Sequence, residues 1–155
     1  MHVLIATDGS KQSLAAARYF KSFTDPTRIS VVSVVAVVRP LAAVAFVDEL
    51  GDGKQTRASL ETQSFRAEAE SAIAVVAAEF DGWGPKVYQR IRSGSPASEI
   101  IKAARKLDAG LVVVGSGGRG LSDVILLGST AQRVQHSAPC PVLVVRPAPR
   151  RPKKT

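Results

Sequence analysis

Apolar and polar positions divide the chain into short apolar runs and longer periodic stretches. Residues 3–6, 29–38, 86–92, 111–114 and 141–145 are rich in valine, isoleucine and leucine, as strands are. The run at 111–114 is continuously apolar, which suits a parallel strand covered on both faces. The run at 29–38, interrupted by Ser30 and Ser33, reads as a central strand. Residues 86–92 instead set Val87, Gln89 and Ile91 against Tyr88, Arg90 and Arg92, the alternation of an edge strand.

Between these runs the period becomes helical. Residues 11–23 place Leu14, Ala17 and Phe20 on successive turns, with Ser10 positioned as a cap. Residues 56–80 carry Phe65, Ala69, Ala72, Ile73, Val76 and Phe80 on one stripe, while Arg66, Glu68, Glu70 and Glu79 form a solvated face. Ser95 and Pro96 open a third helix, with Glu99 favourable in its first turn and Ile100, Ala103, Ala104 and Leu107 turned inward. Residues 131–137 make a fourth. Strand alternating with helix predicts an α/β fold: a single-domain, open, doubly wound parallel five-stranded sheet with helices on both faces.

Two stretches escape the pattern. Residues 40–55 have no clean period and follow the second strand on the side where ligands bind in such sheets, so they read either as a lid or as a surface excursion. Asp81-Gly82-Trp83-Gly84-Pro85 breaks the long helix, and Trp83 is expected to fold over the core edge.

Composition narrows the classes. A chain of 155 residues suffices for one domain, and an aromatic content of 5% makes its core aliphatic and alanine-rich. No apolar run approaches the roughly 20 residues of a membrane span, and residues 3–6 are too short for a signal peptide, so a cytoplasmic protein is expected. The single cysteine, Cys140, excludes an intrachain disulfide and a cysteine metal cluster, and reads as a small hydrophobe. His2 and His136 suggest solvated or cap-adjacent roles and no metal site. Of the formal net charge of +8, Arg146, Arg150, Arg151, Lys153 and Lys154 supply five, leaving about +3 elsewhere. Nucleic-acid binding is therefore not expected except through residues 147–155, a basic, proline-rich tail read as disordered behind a domain at 1–146.

The chemistry concentrates after the fourth strand. Gly115, Gly117, Gly118 and Gly120 let the backbone approach a ligand without intervening side chains. Gly128-Ser129-Thr130 then precede the last helix, whose bare N-terminal amides make an anion site. A P-loop is excluded, because Gly53-Lys54 is followed by Gln55. Gly115, Gly117 and Gly120 satisfy GxGxxG, but after a late strand and without a carboxylate near Cys140, against the dinucleotide pattern. A third spacing fits: Gly115, two residues, Gly118, nine residues, Gly128-Ser129. It resembles the GxxGx9G[ST] signature of the ATP-binding universal stress proteins. Residues 3–10 (VLIATDGS) resemble that family's first strand and loop, Gly94-Ser95-Pro96-Ala97 its loop into the third helix, and residues 138–145 (APCPVLVV) its last strand.

The resemblance implies strand order 3-2-1-4-5, which sets strands one and four side by side and Asp8 across from the Gly115 loop. It implies an ATP site with magnesium. Ala6, Thr7 and Asp8 would flank the ribose, backbone near Val34 the adenine, and Val114, Gly115 and Gly118 the phosphates. Arg119 is an additional phosphate ligand in this reading, Gly128, Ser129 and Thr130 supply donors, and Asp8 helps to hold the metal. On residue type alone, Asp8 reads equally as a turn aspartate bonded to its own backbone. Ala131 lacks the hydroxyl that some ATP-binding relatives carry. The resemblance further implies a homodimer through Val142, Leu143, Val144 and Val145, acting as a nucleotide-dependent stress sensor or regulatory module with slow hydrolysis at most. No residue is marked for phosphoryl transfer. Adenylyl transfer lacks its histidine in the first loop, and a phospho-receiver lacks its aspartate after strand three. A nucleotide-free dimeric interaction module of the same fold stays open.

Overall fold

The structure, a computed structural model, describes residues 1–39, 54–117 and 127–147, with backbone alone over 54–62. Its elements are β1 (His2–Thr7), α1 (Lys11–Phe23), β2 (Val31–Val38), α2 (Lys54–Ala78), β3 (Lys86–Ser93), α3 (Pro96–Lys106), β4 (Leu111–Gly115), α4 (Ser129–Ser137) and β5 (Val142–Val145). All strand pairs are parallel, and their order is β3-β2-β1-β4-β5. β2 begins two residues later than its apolar run. Asp25 Oδ1 accepts the Thr27 amide at 2.9 Å and starts a 3-10 turn at Pro26–Arg28, whose Pro26 carbonyl takes the Ile29 amide. No helix among the described residues is long and apolar enough to cross a membrane.

Pleating sorts the strands into two cores. Val3 and Ile5 of β1, Val32, Val34 and Ala36 of β2 and Val113 of β4 pack with Ala16, Ala17 and Phe20 of α1 and Ile73, Val76 and Ala77 of α2. Leu4, Ala6, Val35, Val112 and Val114 face the other way, onto Ala97, Ile100, Ala103 and Ala104 of α3 and Ala131 and Val134 of α4. A one-residue slip of any strand would exchange these sets, so register and helix placement determine each other. Burial raises the pKa of the Cys140 thiol, and the residue packs on the second core as the small hydrophobe expected.

At the lower end of the sheet, Trp83 packs against Phe20 and Phe80 with ring centroids at 5.8 and 5.3 Å, closing the core edge as its loop position suggested. Glu79 departs from the solvated-face reading. It accepts Arg18 Nη2 at 2.7 Å, and its carbonyl accepts Lys21 Nζ, so it joins α1 to α2. His2 is also not merely terminal: its Nε2 lies 2.9 Å from Ser33 Oγ, which accepts Arg90 Nε at 3.2 Å, a chain crossing three strands. Ser95 stands at the N-cap of α3 without a side-chain hydrogen bond. Glu99 anchors that helix to β3 instead, taking Arg92 Nε at 2.9 Å and Lys102 Nζ at 2.8 Å. Gly94 is required there, at φ +142° with a Cβ position 2.9 Å from Glu99 Cγ.

Candidate functional site

Above the carboxyl ends of β1, β2 and β4 lies a cavity of about 770 Å³. Parallel strands direct their loops to this end, and between β1 and β4 the order reverses, so the two loops diverge and leave a crevice.

The β1–α1 loop is held by hydroxyls. Ser10 caps α1 by accepting the Ser13 amide at 3.1 Å, and Ser13 Oγ donates to the Ser10 carbonyl at 2.9 Å. With that proton committed, the 2.9 Å contact between Thr7 Oγ1 and Ser13 Oγ is donated by Thr7, whose oxygen in turn accepts the Gly9 amide at 3.1 Å. Thr7, Ser10 and Ser13 are all buried. Gly9, at φ +76°, completes the turn. The network presents Asp8, which is exposed at the cavity wall. Asp8 Oδ1 accepts the Ser10 amide at 3.0 Å. The turn reading of Asp8 therefore holds for that oxygen.

Opposite stands the β4–α4 side. The first intrahelical bond of α4 runs from the Gln132 amide to the Gly128 carbonyl at 2.9 Å. The amides of Ser129, Thr130 and Ala131 consequently have no partner within the helix, and all three residues line the cavity. Gly128 differs from its expected part as a donor, because its amide already bonds the Ser116 carbonyl at 2.7 Å. The helix starts at Ser129 rather than at 131, so its free first-turn amides are those of Ser129, Thr130 and Ala131. Gly115 also has an unexpected reason. A Cβ there would lie 3.0 Å from the Gln12 carbonyl carbon and oxygen, so glycine lets β4 pack against the first turn of α1.

Ala6, Thr7, Asp8, Val114, Gly115, Gly128, Ser129 and Thr130 all border this one cavity. Val34 does not: it is fully buried, and the wall begins at Val35 and runs to Arg39. By the parallel register Val34 lies beside Ile5 and Ala36 beside Thr7, so the cavity wall on β2 starts one residue past the expected contact. Gly118 and Arg119, the loop at 40–53 and the tail from 148 onward lie outside the described residues. Sequence reasoning missed Ser13, Ser116 and Phe65, which also border the cavity. Ser13 was legible as the third residue after a cap serine, whereas Phe65 was assigned to the core stripe.

Among the described residues no group of three or more His, Cys, Asp or Glu converges. The site sets main-chain donors at the start of α4 across the cavity from the Asp8 carboxylate, and Glu68 of α2 also borders it.

The model of the Universal stress protein family matches residues 1–146. The chain is 35% identical over 153 residues to Universal stress protein MJ0531 of Methanocaldococcus jannaschii, covering 98% of this chain and 83% of that one. Its fold superposes with TM-score 0.76 on universal stress protein UspA from Lactobacillus plantarum, at 22% identity, covering 94% of this chain and 97% of that one. A universal stress protein family protein from Arabidopsis thaliana, whose structure has AMP bound, matches with TM-score 0.65 at 15% identity, covering 94% of this chain and 91% of that one. With the family model spanning both cores and the crevice between β1 and β4, the chain belongs to the universal stress protein family.

Proposed function

We propose that this protein binds ATP in the crevice between β1 and β4 and acts in the cytoplasm as a nucleotide-dependent stress sensor or regulatory module. The observation that carries the reading is the opposition of Asp8 to three amides without helical partners across one cavity. The amides of Ser129, Thr130 and Ala131 donate to phosphate oxygens, strengthened by the positive end of the α4 dipole. Asp8 would accept from ribose hydroxyls or help to hold a magnesium ion beside the phosphates, an ion that prefers few protein carboxylates. Main chain at Val35–Val38 faces the base. Gly118 and Arg119 are assigned to the phosphates by the spacing of the motif. The AMP-bound relative supports an adenine nucleotide. The sequence marks no residue for phosphoryl transfer, so the proposal includes hydrolysis that is slow at most.

A homodimer through β5 belongs to the same proposal. The amides of Val112 in β4 and of Ser116 just past it donate to the Pro141 and Val145 carbonyls, so by strand alternation the main-chain groups of Val142 and Val144 point away from β4 along the open edge. Val142, Leu143 and Val144 are half-buried in one copy, and an apolar edge of this kind is covered when a second copy pairs with it. Val144→Pro removes an outward donor without touching the β4 ladder, and sedimentation should turn a dimer into a monomer.

Mass spectrometry of small molecules released by heat, with calorimetry of added Mg-ATP, tests the nucleotide. Gly128 has φ −60°, a backbone conformation open to any residue, and Gly128→Glu places a carboxylate among the phosphates. Loss of binding with an unchanged circular dichroism spectrum is expected. A wild-type protein that releases no nucleotide and ignores Mg-ATP would leave the interaction module as the function.

A further inference from the structure

The cavity is chemically lopsided. Amides and hydroxyls gather where β4 meets α4, whereas the wall made by α2 and the end of β2 sets Val35, Ala36, Ala69, Ala72 and Phe65 beside only two charged residues, Glu68 and Arg39. Phe65 shares its helical stripe with Ala69, Ile73, Val76 and Phe80 and so faces the sheet. Ile73, Val76 and Phe80 are each 1% exposed, yet Phe65 is 41% exposed. The floor beneath them makes the difference, since the first three rest in the core while Phe65 borders the cavity. The three alanines leave a slot that larger side chains would close. A ring face kept wet on a core-facing stripe forgoes the gain of burial, and a flat aromatic guest restores that gain by stacking.

We infer that Phe65 is the stacking residue for the base, resting on the nucleotide reading above, and that its ring makes the site prefer purine over pyrimidine nucleotides. The preference arises because stacking grows with the overlapped ring area, and a purine covers more of the phenyl face. Main-chain groups at the β2 end give register to the base, and Phe65 supplies the platform.

Calorimetry with Mg-ATP and Mg-CTP on wild type, Phe65→Ala, Phe65→Leu and Phe65→Tyr tests this. Alanine should weaken ATP about tenfold and shrink the ATP over CTP preference. Tyrosine, which keeps the ring, should stay within about twofold of wild type, while leucine, which keeps apolar bulk without a ring, should fall severalfold. Thermal melts accompany each titration, and should alanine lower the melt, the tyrosine and leucine pair decides. Leucine binding as tightly as wild type, or alanine losing ATP and CTP by the same factor, would overturn the stacking role alone. A wild-type protein that binds no ATP overturns the nucleotide reading and this inference together.

Discussion

Gly115→Ala tests whether β4 and α1 are pressed together for the sake of the site. The added methyl would stand 3.0 Å from the carbonyl carbon and oxygen of Gln12 and 3.2 Å from the Ser13 amide nitrogen. Comfortable carbon contacts begin near 3.5 Å, so about half an ångström must be found. All three obstructing atoms are backbone of the first turn of α1, and none can rotate away. That turn is further held by the Ser10 cap and the Thr7–Ser13 hydroxyl pair, so the strain spreads into the loop carrying Asp8. Overpacking of this size costs about 1–3 kcal/mol. In a domain near 150 residues that corresponds to roughly 3–10 °C in Tm. Urea titration and calorimetric melting read the effect, with Gly128→Ala as the matched control at φ −60°, where a methyl adds no backbone strain. Gly115→Ala melting with wild type would show that the contact relaxes freely, and would remove close packing as the reason for glycine at the end of β4.

Other outcomes follow from the same geometry. Ser13→Ala strands the buried Thr7 hydroxyl and should cost about 1–3 kcal/mol, and adding Thr7→Val should cost less than the two singles summed; strict additivity in urea titrations would deny the coupling. Burial, helped by Arg90 and the N-terminus and opposed by a bond to the Leu107 carbonyl, holds the His2 imidazole below its ordinary pKa of 6.5. The unfolded chain takes that proton first, so stability is intact above about pH 6.5 and falls below it. Urea midpoints of wild type should decline toward about pH 5 more steeply than those of His2→Gln, and parallel curves would refute the burden on His2. Lys102, and then Arg92, outweigh burial and hold the Glu99 carboxyl below its ordinary 4.5. Its contribution is complete above that value and is lost as pH falls through the lower folded-state pKa. Glu99→Gln should therefore flatten the acid limb of the stability curve below about pH 5, and an unchanged limb would exclude the Arg92–Glu99–Lys102 tie.

The strands and helices were legible because each buries a face with its own period. The continuous apolar run at 111–114 could satisfy only a strand covered on both sides, and the stripe through Ile73, Val76 and Phe80 only a helix against a sheet. Cap positions were legible at both Ser10 and Ser95, but only Ser10 makes the side-chain capping bond; at α3 Glu99 is held by Arg92 of β3 and by Lys102 one turn along. The glycine spacing marked the crevice, though not which amide each glycine leaves available.

Hydrophobic period and turn residues are local properties, and through them the chain by itself determined its elements and their alternation. The tertiary structure alone decided that the Gly128 amide is taken by Ser116, that the mouth of β2 begins at Val35, and that Phe65 borders a space instead of the core. Each depends on parallel register and on the distance between elements far apart in sequence. Those are settled only when both faces of the sheet are packed at once, because a half-step along any strand changes every partner above it.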